Sequence, residues 1–436
     1  MVSVDISNIW GNVSLPDLLN LEAEISAAHA ALADGTGAGS EYRGWMDLPE
    51  QELSAEFVRI WESAERIRAE SDVLVVLGTG SSCLGARAVM ELLQGPHRNF
   101  GRGKGDPMIF FAGNSFSTRQ HQALLRLLDG KDFSLCVIQE IGSPLESAIA
   151  LRSLRWILER KYGTDEARRR VYAVTVPETP LARMAAEADW ETFFLPEGVR
   201  GPYGLLSCAG LLPMAAAGLD ISALLRGARE VREELNLRSF ENPVWLYAAV
   251  RNLMHRSGRS AEILAAFEPG FDLLGRWWQQ LFSASEGKNG KGLLPVPARF
   301  PGDLDTLGQQ IRDGRPQLFE TILRFDSPEQ AVTIMGDVTD LADLNVLEDR
   351  TLAQVEEQAF FAALTAHTDG GVPVICIDCG ELSEAGLGAL VYFFQLSSAV
   401  SAYTLGVNPF DFSGSEPYRR ELDRLLGRTG NINPAT

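Results

Sequence analysis

A short apolar run, Val73-Leu74-Val75-Val76-Leu77, ends on Gly78-Thr79-Gly80-Ser81-Ser82 and leads into a helical pattern from Leu84 to Leu93. The run is too short for a buried helix and rich in β-branched residues, so it predicts a parallel strand covered on both faces. Strand, glycine-serine turn and helix form the first half of a βαβ unit. The unit recurs along the chain. Met108-Ile109-Phe110-Phe111 runs into Ala112-Gly113-Asn114-Ser115 and a helix near 119–128. Ser134-Leu135-Cys136-Val137-Ile138 precedes a longer helix from about Pro144 to Tyr162, and Val171-Tyr172-Ala173-Val174-Thr175 follows it. Such a series folds as a doubly wound α/β domain, with its ligand site on the loops at the carboxyl ends of the strands.

The flanks read differently. In residues 1–70, Leu18 to Leu32 and Pro49 to Ala69 carry apolar residues at three- and four-residue spacing, which predicts helices. Pro213 to Leu235 reads as a connecting helix. Ala261-Glu262-Ile263-Leu264-Ala265, Phe319-Glu320-Thr321-Ile322-Leu323 and the run at Val374 then predict a second α/β unit. Leu390 to Leu405 reads as a strongly apolar helix before a C-terminal arm. A chain of 436 residues exceeds one ordinary domain. The expected division is a helical N-terminal region at 1–70, α/β domains at 71–215 and 216–395, and a helix with its arm at 396–436.

The net charge of -19 argues against nucleic acid and anionic membrane as partners, because both recruit basic surfaces. The longest uncharged apolar stretch, 385–407, is interrupted by Gln395, Ser397, Ser398 and Ser401, which speaks against a spanning helix. The segment Met1-Val2-Ser3-Val4-Asp5 shows no basic region before an apolar run, and the five cysteines are odd in number and scattered. Both features predict a reduced, cytoplasmic setting. Cys376 and Cys379 form a C-x-x-C, but it lies in a predicted strand with no second pair nearby, so a core role is expected and no metal.

Five blocks carry a family resemblance: 78–89, 137–152, 199–219, 285–323 and 405–411. They resemble bacterial phosphoglucose isomerases in order and spacing over nearly the whole length. Leu405-Gly406-Val407-Asn408-Pro409-Phe410-Asp411 matches the family's C-terminal signature unchanged, and Asp303-Leu304, Leu307-Gly308-Gln309 and Phe319-Glu320-Thr321 match too. The resemblance implies two flavodoxin-like sugar-isomerase (SIS-type) domains, no cofactor, and a homodimer whose site lies at the subunit interface.

It also implies a site in which several groups have changed. The family segment E-S-E-G-K-D-G-K-G opens with the glutamate that moves a proton between C1 and C2 of the sugar. This chain reads Ala284-Ser285-Glu286-Gly287-Lys288-Asn289-Gly290-Lys291-Gly292. The ring-opening histidine is Asp305, the cation of G-G-R-Y-S is Pro202 with Arg200 beside it, the C-terminal lysine is Arg419, and the glutamine after N-P-F-D is Phe412. In the phosphate loop, S-K-S-G-T-T-T-E-T becomes Gln139-Glu140-Ile141-Gly142-Ser143-Pro144-Leu145-Glu146-Ser147. Ile141, Pro144 and Leu145 each replace a hydroxyl residue, Pro144 also removes an amide, and Glu140 adds a negative charge. At about 5 Å and an effective dielectric near 20, that charge repels a phosphate by about 3 kcal/mol, roughly a hundredfold in affinity.

Glu286, Asp305 and Arg419 are therefore the candidate catalytic residues. Gly80, Ser82, Asn114, Gly142, Ser143, Glu146, Gln309 and Lys288 are the candidate ligand-binding residues, for a sugar or sugar-phosphate-like ligand. The expected function is a family homologue impaired or inactive in interconverting glucose 6-phosphate and fructose 6-phosphate, repurposed for sugar binding or regulation. The alternative is a divergent but active aldose-ketose isomerase, acting on a sugar phosphate or through a re-invented site on an unphosphorylated sugar.

Overall fold

The computed structural model describes residues 2–101, 103, 105–140, 144–326 and 331–428. Two five-stranded sheets organise the chain. The first uses β2 (Val73–Leu77), β3 (Met108–Ala112), β4 (Phe133–Gln139), β5 (Val171–Thr175) and β6 (Glu191–Phe194) in the order β3-β2-β4-β5-β6, all parallel. The second uses β7 (Ala261–Ala266), β8 (Leu294–Arg299), β9 (Leu318–Asp326) and β10 (Val374–Glu381) in parallel, in the order β8-β7-β9-β10. β1 (Ser3–Asn8) closes the far edge antiparallel to β10. Each sheet is doubly wound. The first strand of each unit lies between the second and third, which places a switch point between β2 and β4 and another between β7 and β9.

Three differences from the sequence expectation have physical causes. β1 is an edge strand, half in solvent, so its residues lack the continuous apolar run that marks a buried strand. β8 contains Pro295 and Pro297, which a central strand would not tolerate; among the described residues it pairs only with β7, so the missing amides face the other edge. The expected helix at 213–235 is two helices, Cys208–Ala216 and Ile221–Glu234. They are broken at Gly218, whose φ is 85°, and restarted by Asp220, which accepts a bond from the Ala223 amide at 2.9 Å.

A helical layer fills the space between the sheets and carries the largest apolar core. At its centre runs the helix Glu384–Thr404, beginning earlier than its apolar run suggested. It is long and apolar enough to cross a membrane by length and composition, yet it is packed inside the protein against Ile221–Glu234, Pro243–Arg256 and Phe271–Glu286. Two glycines set its crossing with Ile221–Glu234. A Cβ on Gly227 would stand 1.9 Å from the Ala385 carbonyl oxygen, and one on Gly388 would stand 1.8 Å from that of Leu224. Any side chain there would force the helices apart. Smaller cores cover the outer faces of the two sheets.

Candidate active site

The carboxyl end of the first sheet faces the amino end of the second, and the family motifs meet between them. The helix Phe271–Glu286 starts beyond the carboxyl end of β7 and returns to the amino end of β8. Its buried residues, Phe271, Leu274, Gly275, Trp277, Trp278, Leu281, Phe282, Ser285 and Glu286, recur at three- and four-residue spacing. Ala284 lies off that stripe, half-buried, while Glu286 lies on it. Two residues turn a helical side chain by about 200°, so the two positions point to different sides.

Glu286 points into the core. Its carboxylate takes both arms of the Arg251 guanidinium, Nη2 to Oε2 at 2.7 Å and Nε to Oε1 at 3.3 Å. Arg251 also contacts Glu262, which in turn accepts from the Tyr247 hydroxyl at 2.7 Å and the Thr321 hydroxyl at 2.6 Å. The guanidinium lies over the Phe282 ring at 4.0 Å. Arg251, Glu262 and Glu286 are 0–1% exposed, so this triad is sealed from any ligand.

The open side of the segment is built by Lys288, Arg200, Glu140 and Phe412. Lys288 donates to the Ser285 carbonyl at 2.9 Å and to the Asn408 carbonyl, tying the end of the helix to the 405–411 signature. Burial pulls its ammonium down to about 8, with Asp411 opposing the shift. Arg200 donates to the Phe410 carbonyl, and its guanidinium carbon lies 3.6 Å from the Tyr42 ring centre and 5.0 Å from that of Phe412. The buried Nε of Arg200 makes no hydrogen bond among the described residues.

Gly201, at φ 58°, turns the chain beside it, and a Cβ there would stand 2.8 Å from the Phe412 ring. Its amide donates to Glu140 Oε2 at 2.5 Å. Burial pushes the Glu140 carboxyl up to about 7, against the Gly201 bond and the nearby Arg200 charge. Below this layer the Tyr203 hydroxyl bridges Ser285 and Ser398 at 2.9 and 2.8 Å. Residues of four separate segments thus meet: Glu140 bonded to the Gly201 amide, Arg200 over Phe412, and Lys288 5.9 Å from the Phe412 ring centre.

The other candidates fall in several places. Gly80, at φ 89°, caps the helix Ser81–Gln94 with open space around it. Ser82 is in the first turn of that helix, and its side chain lies outside the described residues. Asn114 is exposed beyond β3, and Glu146 is half-buried in the first turn of Leu145–Tyr162. Gly142 and Ser143 lie outside the described residues. Asp305 is exposed on a π-helical turn, Leu304–Gly308, that follows the carboxyl end of β8. Gln309 is exposed and donates to Asp313 at 2.8 Å. Arg419 is exposed on Glu416–Leu425, a helix with no buried residue.

Asp305 and Lys288 therefore stand at opposite ends of the second sheet. The helix Phe271–Glu286 that separates those ends is about 24 Å long, so the two do not converge within one chain. Sequence reading did not single out Tyr42 or Asn408 as neighbours of the site, nor Arg251 as the partner of Glu286. The charge and spacing of Arg251 are ordinary for a helix, and only the tertiary fold brings it to Glu286.

No family model matches the chain. Its relatives are nevertheless clear. It is 42% identical to glucose-6-phosphate isomerase of Staphylococcus saprophyticus over 408 residues, covering 93% of this chain and 91% of that protein. It is 44% identical over 414 residues to that of Heliobacterium modesticaldum, covering 94% and 93%, and 39% over 434 residues to that of Enterococcus faecalis, covering 98% and 97%. Among solved structures, a hypothetical protein of Thermus thermophilus superposes with a TM-score of 0.88 at 25% identity, covering 99% of this chain and 100% of that one. A glucose-6-phosphate isomerase of Chlamydia trachomatis shares the fold with a TM-score of 0.79 at 17% identity, covering 95% and 86%. The chain belongs to the glucose-6-phosphate isomerase family.

Proposed function

We propose that this member of the family has lost the family's proton transfer and keeps the cleft for binding. The observation that carries the proposal is Ala284 at the position of the family's glutamate, with Glu286, the nearest carboxylate in sequence, bound to Arg251 in the core. An enediol route needs a carboxylate with free access to C1 and C2 and a means to stabilise the enediolate. Ala284 has no group to move a proton. Glu286 holds a buried guanidinium instead, and its role is structural.

The cleft has changed in the same direction. Phe412 and Arg200 pack against Gly201, and Glu140 places a carboxyl in the loop that anchors phosphate in the family. A ligand of this cleft is a sugar or sugar derivative with little negative charge, held by Lys288, Arg200 and backbone groups of the Gly80 turn. Asp305 contributes to such a cleft only from a second copy of the chain, because its own Lys288 is at the other end of the sheet. That supports a homodimer, and the free, scattered cysteines support a cytoplasmic protein. The second reading, an active divergent isomerase, draws on the names of the relatives at 39–44% identity. A coupled assay with glucose 6-phosphate and fructose 6-phosphate separates the two: turnover at an ordinary enzyme rate favours the second and sinks the first.

A further inference from the structure

The first sheet carries a groove at the end away from the cleft. The helices Thr118–Leu128 and Leu145–Tyr162 pack on the outer face of that sheet, where Leu124, Leu128, Phe133, Leu154 and Leu158 join one core. Toward the amino end of β4 the two helices leave a cavity of about 600 Å³ at the surface. That volume falls within the usual range of ligand pockets, about 300–1,000 Å³. Leu125, Leu128, Phe133 and Ile157 give it an apolar lining, and the Trp156 side chain stands beside them, 60% exposed. An apolar patch of this kind rimmed by charge marks an interaction site.

The rim selects the charge of the occupant. Arg126, Arg160 and Lys161 stand against one carboxylate, Asp129, among the described lining residues. Lys161 is engaged: it donates to the Lys131 carbonyl and pairs with Asp132 at 3.0 Å. The arginines are not. Arg160 lies 5.1 Å from the Trp156 ring centre, and neither it nor Arg126 has a carboxylate partner among the described residues. Arg155, on the same helix, does have one, Glu159 at 2.6 Å. In a chain of net charge -19, two arginines without an acidic partner beside an apolar groove make a local positive field that the rest of the surface lacks.

We propose that this groove binds a small amphipathic anion, an alkyl chain of medium length ending in a carboxylate. The chain lies along Leu125, Ile157 and Trp156, and the head group meets Arg126 and Arg160. A carboxylate accepts charge-assisted bonds from guanidinium groups, and an alkyl chain gains affinity with every methylene it removes from water. An inorganic anion would leave the apolar lining in water, and a cationic amphiphile would meet the arginines with like charge. The groove lies at the amino end of the first sheet and the cleft at its carboxyl end, so failure here leaves the reading of Ala284 untouched.

Calorimetric titration of the intact chain with butyrate, hexanoate and octanoate tests the proposal, with 1-octanol and octyltrimethylammonium as controls of similar tail. Octanoate is expected to bind at one site per chain and at least about tenfold more tightly than butyrate, since a buried methylene is worth up to about fourfold. 1-Octanol should bind about tenfold more weakly than octanoate, and octyltrimethylammonium not at all. Arg126→Gln and Arg160→Gln should each weaken octanoate by about tenfold, and Trp156→Ala should flatten the gain along the series. All three side chains are exposed, so these variants keep the fold. No binding of octanoate at millimolar concentration, equal binding of octanoate and octyltrimethylammonium, no gain with chain length, or octanoate binding unchanged in all three variants would each overturn the proposal. An affinity for octanoate that falls as protein concentration rises would overturn it too, by giving the groove to a second copy of the chain.

Discussion

Glu286 and Arg251 form a two-armed ion pair, 2.7 Å at its shorter contact, between side chains that are no more than 1% exposed. The pair gives the second glutamate position of the motif a structural task that does not depend on the family's proton transfer. Glu286 and Glu262 share one guanidinium, so removing Arg251 would leave two buried carboxylates without their cation, whereas removing Glu286 leaves Arg251 paired with Glu262.

Breaking that pair should therefore damage stability before anything else. Arg251→Ala is expected to cost about 3–5 kcal/mol, the usual cost of an uncompensated buried charge, and Glu286→Ala less, because Glu262 still pairs with Arg251. Chemical denaturation measures it. A loss below about 1 kcal/mol for Arg251→Ala would mean that the carboxylate is not bound to Arg251 in solution.

Glu140 makes stability depend on acid. Its carboxyl rises from 4.5 to about 7 on folding. Between those pH values the folded chain holds a proton that the unfolded chain has released, so stability falls as pH rises through this window. Glu140→Gln keeps an acceptor for the Gly201 amide and removes the titration. It should gain on the native chain by about 2 kcal/mol above pH 7 and by little at pH 4.5. Melting curves across that range, parallel for both proteins, would contradict the assignment.

Lys288 acts in the opposite sense and at higher pH. Its ammonium falls from 10.5 to about 8 on folding, so above pH 8 the unfolded chain holds the extra proton and rising pH favours the fold. The side chain is only part-buried, so solvent screening limits the effect to about 1 kcal/mol. Lys288→Met should remove this rise between pH 8 and 10, read from denaturation midpoints. It should also loosen the 405–411 segment in hydrogen exchange, because the tie to the Asn408 carbonyl is gone.

Restoring one residue should not restore the family reaction. Ala284→Glu supplies a carboxylate, but Glu140, Pro202 and Phe412 still stand where the phosphate loop, the cation and a glutamine act in the family. A single base is worth about 10² to 10⁴ in rate only when its companions are in place. The expected gain is under about tenfold for Ala284→Glu alone, with a larger one when Glu140→Lys and Phe412→Gln are added. Full activity from the single change would show that the rest of the site is intact.

Much of this architecture is legible in the sequence because buried parallel strands are continuous apolar runs, and β2, β4, β5, β7 and β9 have them. β1 and β8 escape because edge strands carry polar residues and prolines. The motifs locate the cleft, since Lys288, Arg200, Glu140 and Phe412 all come together there. They do not show which carboxylates are free. Glu286 looks available in sequence and is sealed by Arg251, 35 residues away, whereas Asp305 looks adjacent in motif order and lies at the far end of the sheet. Such relations depend on packing between elements, which local spacing does not encode.

The most direct measurement is the isomerisation rate of the purified chain with glucose 6-phosphate and with fructose 6-phosphate at neutral pH. A typical enzyme turns over at about 10 s⁻¹, and loss of the base alone predicts a rate below about 10⁻¹ s⁻¹. A rate near the typical value, abolished by Asp305→Asn and unaffected by Ala284→Gln, would contradict the account and identify a re-invented site.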